Sequence, residues 1–200
     1  MKPLLALSRG IDRVNGIVGA FVFGAMLIVV LIGAINTLAR KIGSEFGITL
    51  TSNALVELQW YLFATIFLLG AAYTLRENGH VRVDVVYDRL GPRVRSWIDL
   101  VGHLAFLIPF CLYAVWTSFG PEYRAEEGWQ FIGPVADSWR TREGSPDPGG
   151  LPRYPIKTLV PIAFLILAAQ GLSEVIKIIA RLRGAAPAPV VSEATEAGHL

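Results

Sequence analysis

The fold of this chain is decided by residues 57–84, which read ELQWYLFATIFLLGAAYTLRENGHVRVD. An apolar block runs from Leu58 to Leu75, with Glu57 before it and Arg76 after it. Crossing the hydrocarbon core of a bilayer takes about 17 to 25 predominantly apolar helical residues. The segment therefore predicts a membrane-spanning helix that is followed by a charge-dense turn.

Three further apolar blocks have a similar length. The four predicted spans cover about residues 14–39, 54–76, 96–119 and 156–180. In lipid every backbone polar group must be satisfied internally, and these blocks lack the alternation that strands of a membrane barrel show. The sequence predicts an all-α integral membrane protein with four transmembrane helices, in a single domain over residues 1–183.

The composition supports this fold class. Hydrophobic residues make up 53% of the chain, charged residues 17%, and the mean hydropathy is +0.50, whereas soluble domains are about a quarter charged. The net charge of +2 is too small to indicate a nucleic-acid partner.

The first block is longer than the apolar core of a secretory signal, so we expect it to be retained. The single cysteine, Cys111, is expected to be a buried apolar residue.

The basic residues predict an orientation. Of the 18 Lys and Arg residues, eleven lie on the side that both termini share with the second loop, and seven lie on the other. Cytoplasmic segments carry an excess of Lys and Arg. We therefore expect both termini in the cytoplasm and the long loop 120–155 on the opposite side.

The segments outside the spans differ in character. Between spans two and three, a stripe at helical spacing predicts a short interfacial helix, although the alternation around residues 80–85 leaves an extended piece as an alternative; the stripe consists of Val83, Val86, Tyr87 and Leu90. Prolines and glycines predict an irregular stretch over residues 144–152. The tail 184–200 lacks periodicity and is predicted to be a disordered cytoplasmic tail.

Polar residues in or near the spans are the candidates for a functional site. Most lie near span ends, where anchoring is the plain interpretation, whereas Gln59 and Gln170 are expected to hydrogen-bond between helices. Asp99 and His103 are spaced for a proton-relay pair, but no second set continues a pathway across the bilayer. A small-residue stripe (Gly16, Ala20, Gly24) predicts close helix packing.

The chain carries no motif for catalysis, nucleotide binding or metal binding. We therefore expect no enzyme activity, no catalytic, metal or cofactor residues, and no cofactor within this chain.

Several residues together resemble the small membrane subunit, of DctQ type, of tripartite ATP-independent periplasmic (TRAP) transporters. They are Glu57, Tyr61-Leu62-Phe63, Leu69-Gly70-Ala71-Ala72-Tyr73, Arg76 and Gly79-His80-Val81-Arg82-Val83-Asp84. The fourth span, from Tyr154 through Gly171, has a similar likeness. The long outer loop is a departure from the shortest members.

The resemblance implies a function without a site in this chain. A scaffold subunit of this type supports a large multi-span permease subunit, which carries the substrate and sodium sites, while a periplasmic binding protein captures an organic acid. The location implied is the bacterial inner membrane. Candidate structural contacts to lipid or partner are Glu57, Trp60, Arg76, His80, Arg82, Asp84 and Gln170.

Two other functions stay open at this point. One is a haem- or quinone-associated membrane anchor of a redox complex, although only His103 of the three histidines lies within a span. The other is an autonomous small transporter, which would move substrate without partners.

Overall fold

The computed structural model describes residues 2–48, 52–79, 89–124, 128–130 and 133–184. Within them, four helices are long and apolar enough to cross a membrane, which confirms the predicted fold class. These are α1 (Lys2–Phe46), α2 (Asn53–Arg76), a third helix (Pro92–Phe119) and α6 (Tyr154–Leu182). The predicted interfacial helix lies outside the described residues except for its last turn, and His80, Arg82, Asp84 and the tail 185–200 also lie outside them.

Helix α1 is much longer than its apolar block. Its 45 residues span about 68 Å at 1.5 Å per residue, whereas a bilayer with its headgroup layers is about 40–45 Å thick. Buried side chains recur on α1 at every seventh position: Ser8, Asn15, Val22, Val29, Asn36 and Gly43. A seven-residue period keeps one seam of a helix facing the same neighbours along its length.

This seam corrects the predicted small-residue stripe. Gly16 does face a neighbouring helix, but Ala20 and Gly24 are exposed, and a Cβ added at Gly24 would meet nothing within 4 Å. With 3.6 residues per turn, steps of four drift around a helix by about 40° each, while steps of seven drift by about 20°. The four-residue stripe therefore leaves the interface after one or two steps.

Helix α6 is the centre of the bundle. Ten of its 29 residues are buried, against three of the 24 in α2. It packs against α1, α2 and the third helix, and α1 also packs against α2. Contacts between Ser8 and Ser173 and between Asn15 and Gln170 show that α1 and α6 run antiparallel.

The third helix is interrupted by a wider turn. It consists of α3 (Pro92–Val101), a π-helical turn (Gly102–Leu107) and α4 (Ile108–Phe119). The N–H of Ile108 donates to the carbonyl oxygen of His103. The next residue, Pro109, has no N–H with which to resume the α-helical bonding pattern at once.

The outer loop contains more regular structure than the sequence predicts. An antiparallel hairpin pairs β1 (Glu122–Arg124) with β2 (Gly128–Gln130), and α5 (Pro134–Arg140) follows. Proline at the first position of α5 suits a helix start, since that N–H would have no partner within the helix. Residues 143–153 form neither helix nor strand, as their prolines and glycines predict.

Candidate functional site

A buried polar cluster joins α1 to α6 near the end of the bundle where α6 finishes. We call it the α1–α6 network; its members are Ser8, Asp12, Asn15, Gln170, Ser173, Glu174 and Lys177. Gln170 and Ser173 have no exposed surface, and Asn15 is 1% exposed. Buried polar groups are costly unless they are hydrogen-bonded, so their partners decide whether the cluster stabilises the bundle.

Gln170 is the hub of this network. Its Oε1 accepts from Asn15 Nδ2 at 2.5 Å. Its Nε2 donates to Asp12 Oδ1 at 3.1 Å and to Glu174 Oε1 at 2.9 Å. Both amide hydrogens and the carbonyl oxygen are therefore used, and two of these three bonds reach across to α1.

One cation lies between two carboxylates in the network. Lys177 Nζ lies 2.9 Å from Asp12 Oδ2 and 2.8 Å from Glu174 Oε1. Ser173 Oγ donates to Asp12 Oδ1 at 3.0 Å and lies 2.7 Å from Ser8 Oγ. The ionisable groups thus engage one another between two helices, which is the usual arrangement for charges close to lipid.

The contact between α1 and α2 depends on glycines in α1. A Cβ at Gly19 would lie 2.2 Å from the Tyr73 ring, and one at Gly16 would lie 2.9 Å from the Arg76 guanidinium. The ring of Tyr73 also packs edge-on against Phe23, with centroids 5.8 Å apart. Tyr73 and Arg76 therefore occupy space that side chains at Gly16 and Gly19 would fill.

Toward the C-terminal end of α1, the interface between α1 and α2 is polar. Asn36 Nδ2 donates to Gln59 Oε1 at 3.4 Å, and Gln59 Nε2 would lie 2.8 Å from a Cβ at Gly33. Gln59 and Gln170 thus both hydrogen-bond to α1, from α2 and α6 respectively.

A second polar contact, the Glu57 anchor, holds the outer loop against α2. The Glu57 carboxylate is 4% exposed and accepts from the Ser145 hydroxyl and from the Leu151 N–H. Gly150 lies so close that a Cβ there would be 2.7 Å from Glu57 Oε1. A carboxylate with charge-assisted bonds from both sides of one loop fixes the shape of that loop.

Neighbouring residues of α2 extend the anchor. Asn53 Nδ2 donates to the Pro148 carbonyl oxygen at 3.0 Å. The Tyr61 hydroxyl donates to the Pro152 carbonyl oxygen, also at 3.0 Å. Trp60 is 42% exposed and packs edge-on against Tyr61. Three polar side chains of one helix face therefore bind residues 145–152 of the loop.

The loop is also attached to α6. Trp139 Nε1 donates to Thr158 Oγ1 at 2.7 Å, and its ring packs against that of Tyr154. Lys157 forms an ion pair with Glu143. The outer loop is thus held by both α2 and α6.

The predicted pair of Asp99 and His103 meets through the backbone. His103 Nδ1 lies 2.6 Å from the main-chain carbonyl oxygen of Asp99, while its Nε2 is buried without a hydrogen-bond partner. Within the described residues, no group of three or more His, Cys, Asp or Glu side chains is placed to hold a metal ion.

The predicted contact residues that the structure describes lie in three different places. Gln170 lies in the α1–α6 network, Arg76 extends from α2 over Gly16 of α1, and Glu57 with Trp60 lies at the outer end of α2. Sequence reasoning missed Ser8, Asp12, Asn15 and Ser173. The signal that would have found two of them is the seven-residue recurrence of small and polar residues from Ser8 to Gly43.

Comparison with known proteins supplies one match. The family model for the DctQ component of tripartite ATP-independent periplasmic transporters matches residues 29–181. No curated protein and no solved structure is significantly similar to the chain. The matched range includes α2, the third helix, the outer loop and nearly all of α6.

Proposed function

Because this chain belongs to the DctQ family of tripartite ATP-independent periplasmic transporters, we propose that it is the small scaffold subunit of a sodium-coupled, binding-protein-dependent importer of organic acids. In this proposal a large multi-span permease subunit carries substrate and sodium, and a periplasmic binding protein delivers the substrate. The present chain supports the large subunit in the membrane.

The observation that carries the scaffold role is how the polar groups of the bundle are used. Asp12, Gln170 and Lys177 bind one another between α1 and α6, and Glu57 binds the outer loop. A transport pathway needs polar groups that face a cavity and are available to substrate. These groups instead hold helices and a loop in place, which suits a rigid support.

Apolar surface outside the bundle supports the same role. Exposed side chains occur along α1, α2 and the third helix, including Ile17, Phe21, Phe67, Phe106 and Phe110. Lipid or another membrane subunit must cover this surface.

We infer that the chain lies in the bacterial inner membrane and that the end of the bundle carrying Lys2 and Leu182 faces the cytoplasm. The excess of Lys and Arg on that side supports this orientation. The hairpin, α5 and the Glu57 anchor then face the periplasm, where the binding protein docks.

The redox anchor is the weaker alternative. Haem held by two histidines needs a second intramembrane ligand beside His103, and the other histidines, His80 and His199, lie outside the predicted spans. Membership of a transporter family gives that function no support.

Reconstitution tests the proposal. The large permease subunit of the proposed complex and its binding protein are placed in proteoliposomes with and without the chain, and uptake of labelled organic acids is followed under a sodium gradient. We expect sodium-dependent uptake only when the chain is included. Uptake by the chain alone, or a Soret band in its absorption spectrum, would contradict the proposal.

A further inference from the structure

A basic groove lies between α1 and α2 at the end of the bundle where α6 finishes. It has a volume of about 510 Å³ and is lined by Arg9, Arg13 and Arg76 above a floor of Gly16, Ile17 and Ala20. We propose that this groove binds an anionic phospholipid, with the headgroup phosphate against the arginines and an acyl chain along the floor.

The arginines carry charge that the protein itself balances only in part. Within the described residues, no carboxylate pairs with Arg9 or Arg13; Arg9 Nε donates only to the Leu5 carbonyl oxygen of its own helix, at 3.3 Å. Asp12 also lines the groove, where it shares the single charge of Lys177 with Glu174; three arginines against this one carboxylate still leave the lining of the groove basic. Two guanidinium groups are thus available to a phosphate, which they recognise well.

Arg76 completes the rim from α2. Its guanidinium lies over Gly16 and 3.4 Å from Glu77, whose side chain is half exposed. Because Glu77 offsets much of the Arg76 charge, we assign the principal phosphate contacts to Arg9 and Arg13. Arg76 forms the wall that separates the groove from the rest of α2.

The floor favours a lipid over a free phosphate. Below the arginines, the exposed face of α1 continues through Ile17, Phe21, Gly24 and Ile28, at successive steps of four, three and four residues. These residues lie on one side of a helix and lead into the apolar block that begins at Val14. A site with cations at one end and an apolar track at the other matches a phospholipid.

The groove also lies at the depth in the membrane where phospholipid headgroups are found. Arg13 directly precedes the apolar block of α1, and Arg76 directly follows that of α2. Both positions lie where a span meets the headgroup layer, where basic residues attract anionic lipids.

Lipid retention by the full chain tests the proposal. The chain is purified in detergent, and binding of phosphatidylglycerol and of phosphatidylcholine with the same acyl chains is titrated by native mass spectrometry. We expect a preference for phosphatidylglycerol that falls about fivefold for each arginine removed in Arg9→Gln and Arg13→Gln, the loss expected for one surface cation. Arg183→Gln, which removes an exposed arginine at the same end of the bundle, serves as the matched control and should retain the preference.

Two further measurements distinguish binding of a phospholipid from binding of a free phosphate compound. Glycerol 3-phosphate should not displace the lipid, and Ala20→Phe, at an exposed position on the floor, should weaken lipid binding without changing any charge. Circular dichroism verifies that each variant is folded. Equal affinity for the two lipids, an equal loss in Arg183→Gln, displacement by glycerol 3-phosphate, or unchanged binding by Ala20→Phe would each overturn the proposal.

Discussion

Asn15 and Gln170 share a hydrogen bond of 2.5 Å between two side chains that are 1% and 0% exposed. The two residues are separated by 155 positions in the chain, and the bond holds the first helix against the last. Because Gln170 also bonds Asp12 and Glu174, this contact connects the amide pair with the ionised part of the network.

Replacing Gln170 by Leu removes all three of its hydrogen bonds and leaves Asn15 unpaired. Polar contacts between membrane helices contribute about 0.6 kcal/mol on average and up to about 1.7 kcal/mol. We expect Gln170→Leu to lower stability by about 1–2 kcal/mol, measured by thermal or SDS-induced unfolding in detergent. The double variant Asn15→Leu/Gln170→Leu should recover part of the loss, because both amides are then gone. A double variant less stable than the single one would contradict this assignment.

Replacing Lys177 by Met leaves two carboxylates facing each other without their cation. Side-chain exposure is 28% for Lys177, 21% for Asp12 and 8% for Glu174, so solvent screens this cluster only partly. We expect a loss of about 2 kcal/mol, the range for hydrogen bonds to charged groups. The comparison is Lys157→Met, which breaks a more exposed pair with Glu143 and should cost less than about 1 kcal/mol. Adding Asp12→Asn to Lys177→Met should restore stability, and equal losses in the two lysine variants would be evidence against a special role for the network.

Replacing Gly19 by Ala places a methyl group 2.2 Å from the Tyr73 ring. Helices α1 and α2 must then separate or Tyr73 must turn, and overpacking of this kind costs about 1–3 kcal/mol. The control is Gly24→Ala on the same helix, where a methyl group meets nothing within 4 Å. That variant should be neutral or slightly more stable, because Ala is the better helix former. The melting temperatures of both variants are measured in the same detergent, and that of Gly19→Ala should be the lower. Similar melting temperatures would mean that Gly19 does not set the distance between α1 and α2.

Replacing Glu57 by Ala releases the outer loop from α2. The carboxylate accepts from the Leu151 N–H and the Ser145 hydroxyl, and hydrogen bonds to a charged group are stronger than those between neutral groups. We expect amide exchange at Leu151 to become about ten to a hundred times faster, measured by hydrogen–deuterium exchange. Ser145→Ala, which removes one of the two bonds, should have a smaller effect. Glu45→Ala removes an exposed carboxylate from the last turn of α1 and should leave the exchange of Leu151 unchanged.

Some of the site was accessible from sequence and some was not. The sequence predicts that Gln170 lies between helices, because an uncharged amide deep in an apolar block usually hydrogen-bonds to another helix. Glu57 was interpreted as an anchor at the end of α2, but its partners lie about 90 residues away, in a stretch of prolines and glycines without periodicity. The sequence gives no signal for Asp12, because a carboxylate just before an apolar block is typical of a helix end, and only the fold brings Lys177 beside it.

The amino-acid sequence is enough to predict four helices long and apolar enough to cross a membrane and to show which family the chain resembles. Both are local properties: the length of an apolar block is set by the thickness of the bilayer, and the order of residues 57–84 can be compared directly. The position of α6 at the centre, the contact of Asn15 with Gln170 and the attachment of the outer loop to Glu57 become visible only in the folded bundle. In lipid, one apolar helix face is nearly equivalent to another. The rotation of each helix is therefore set by small residues and polar pairs, and these contacts join positions far apart in the chain.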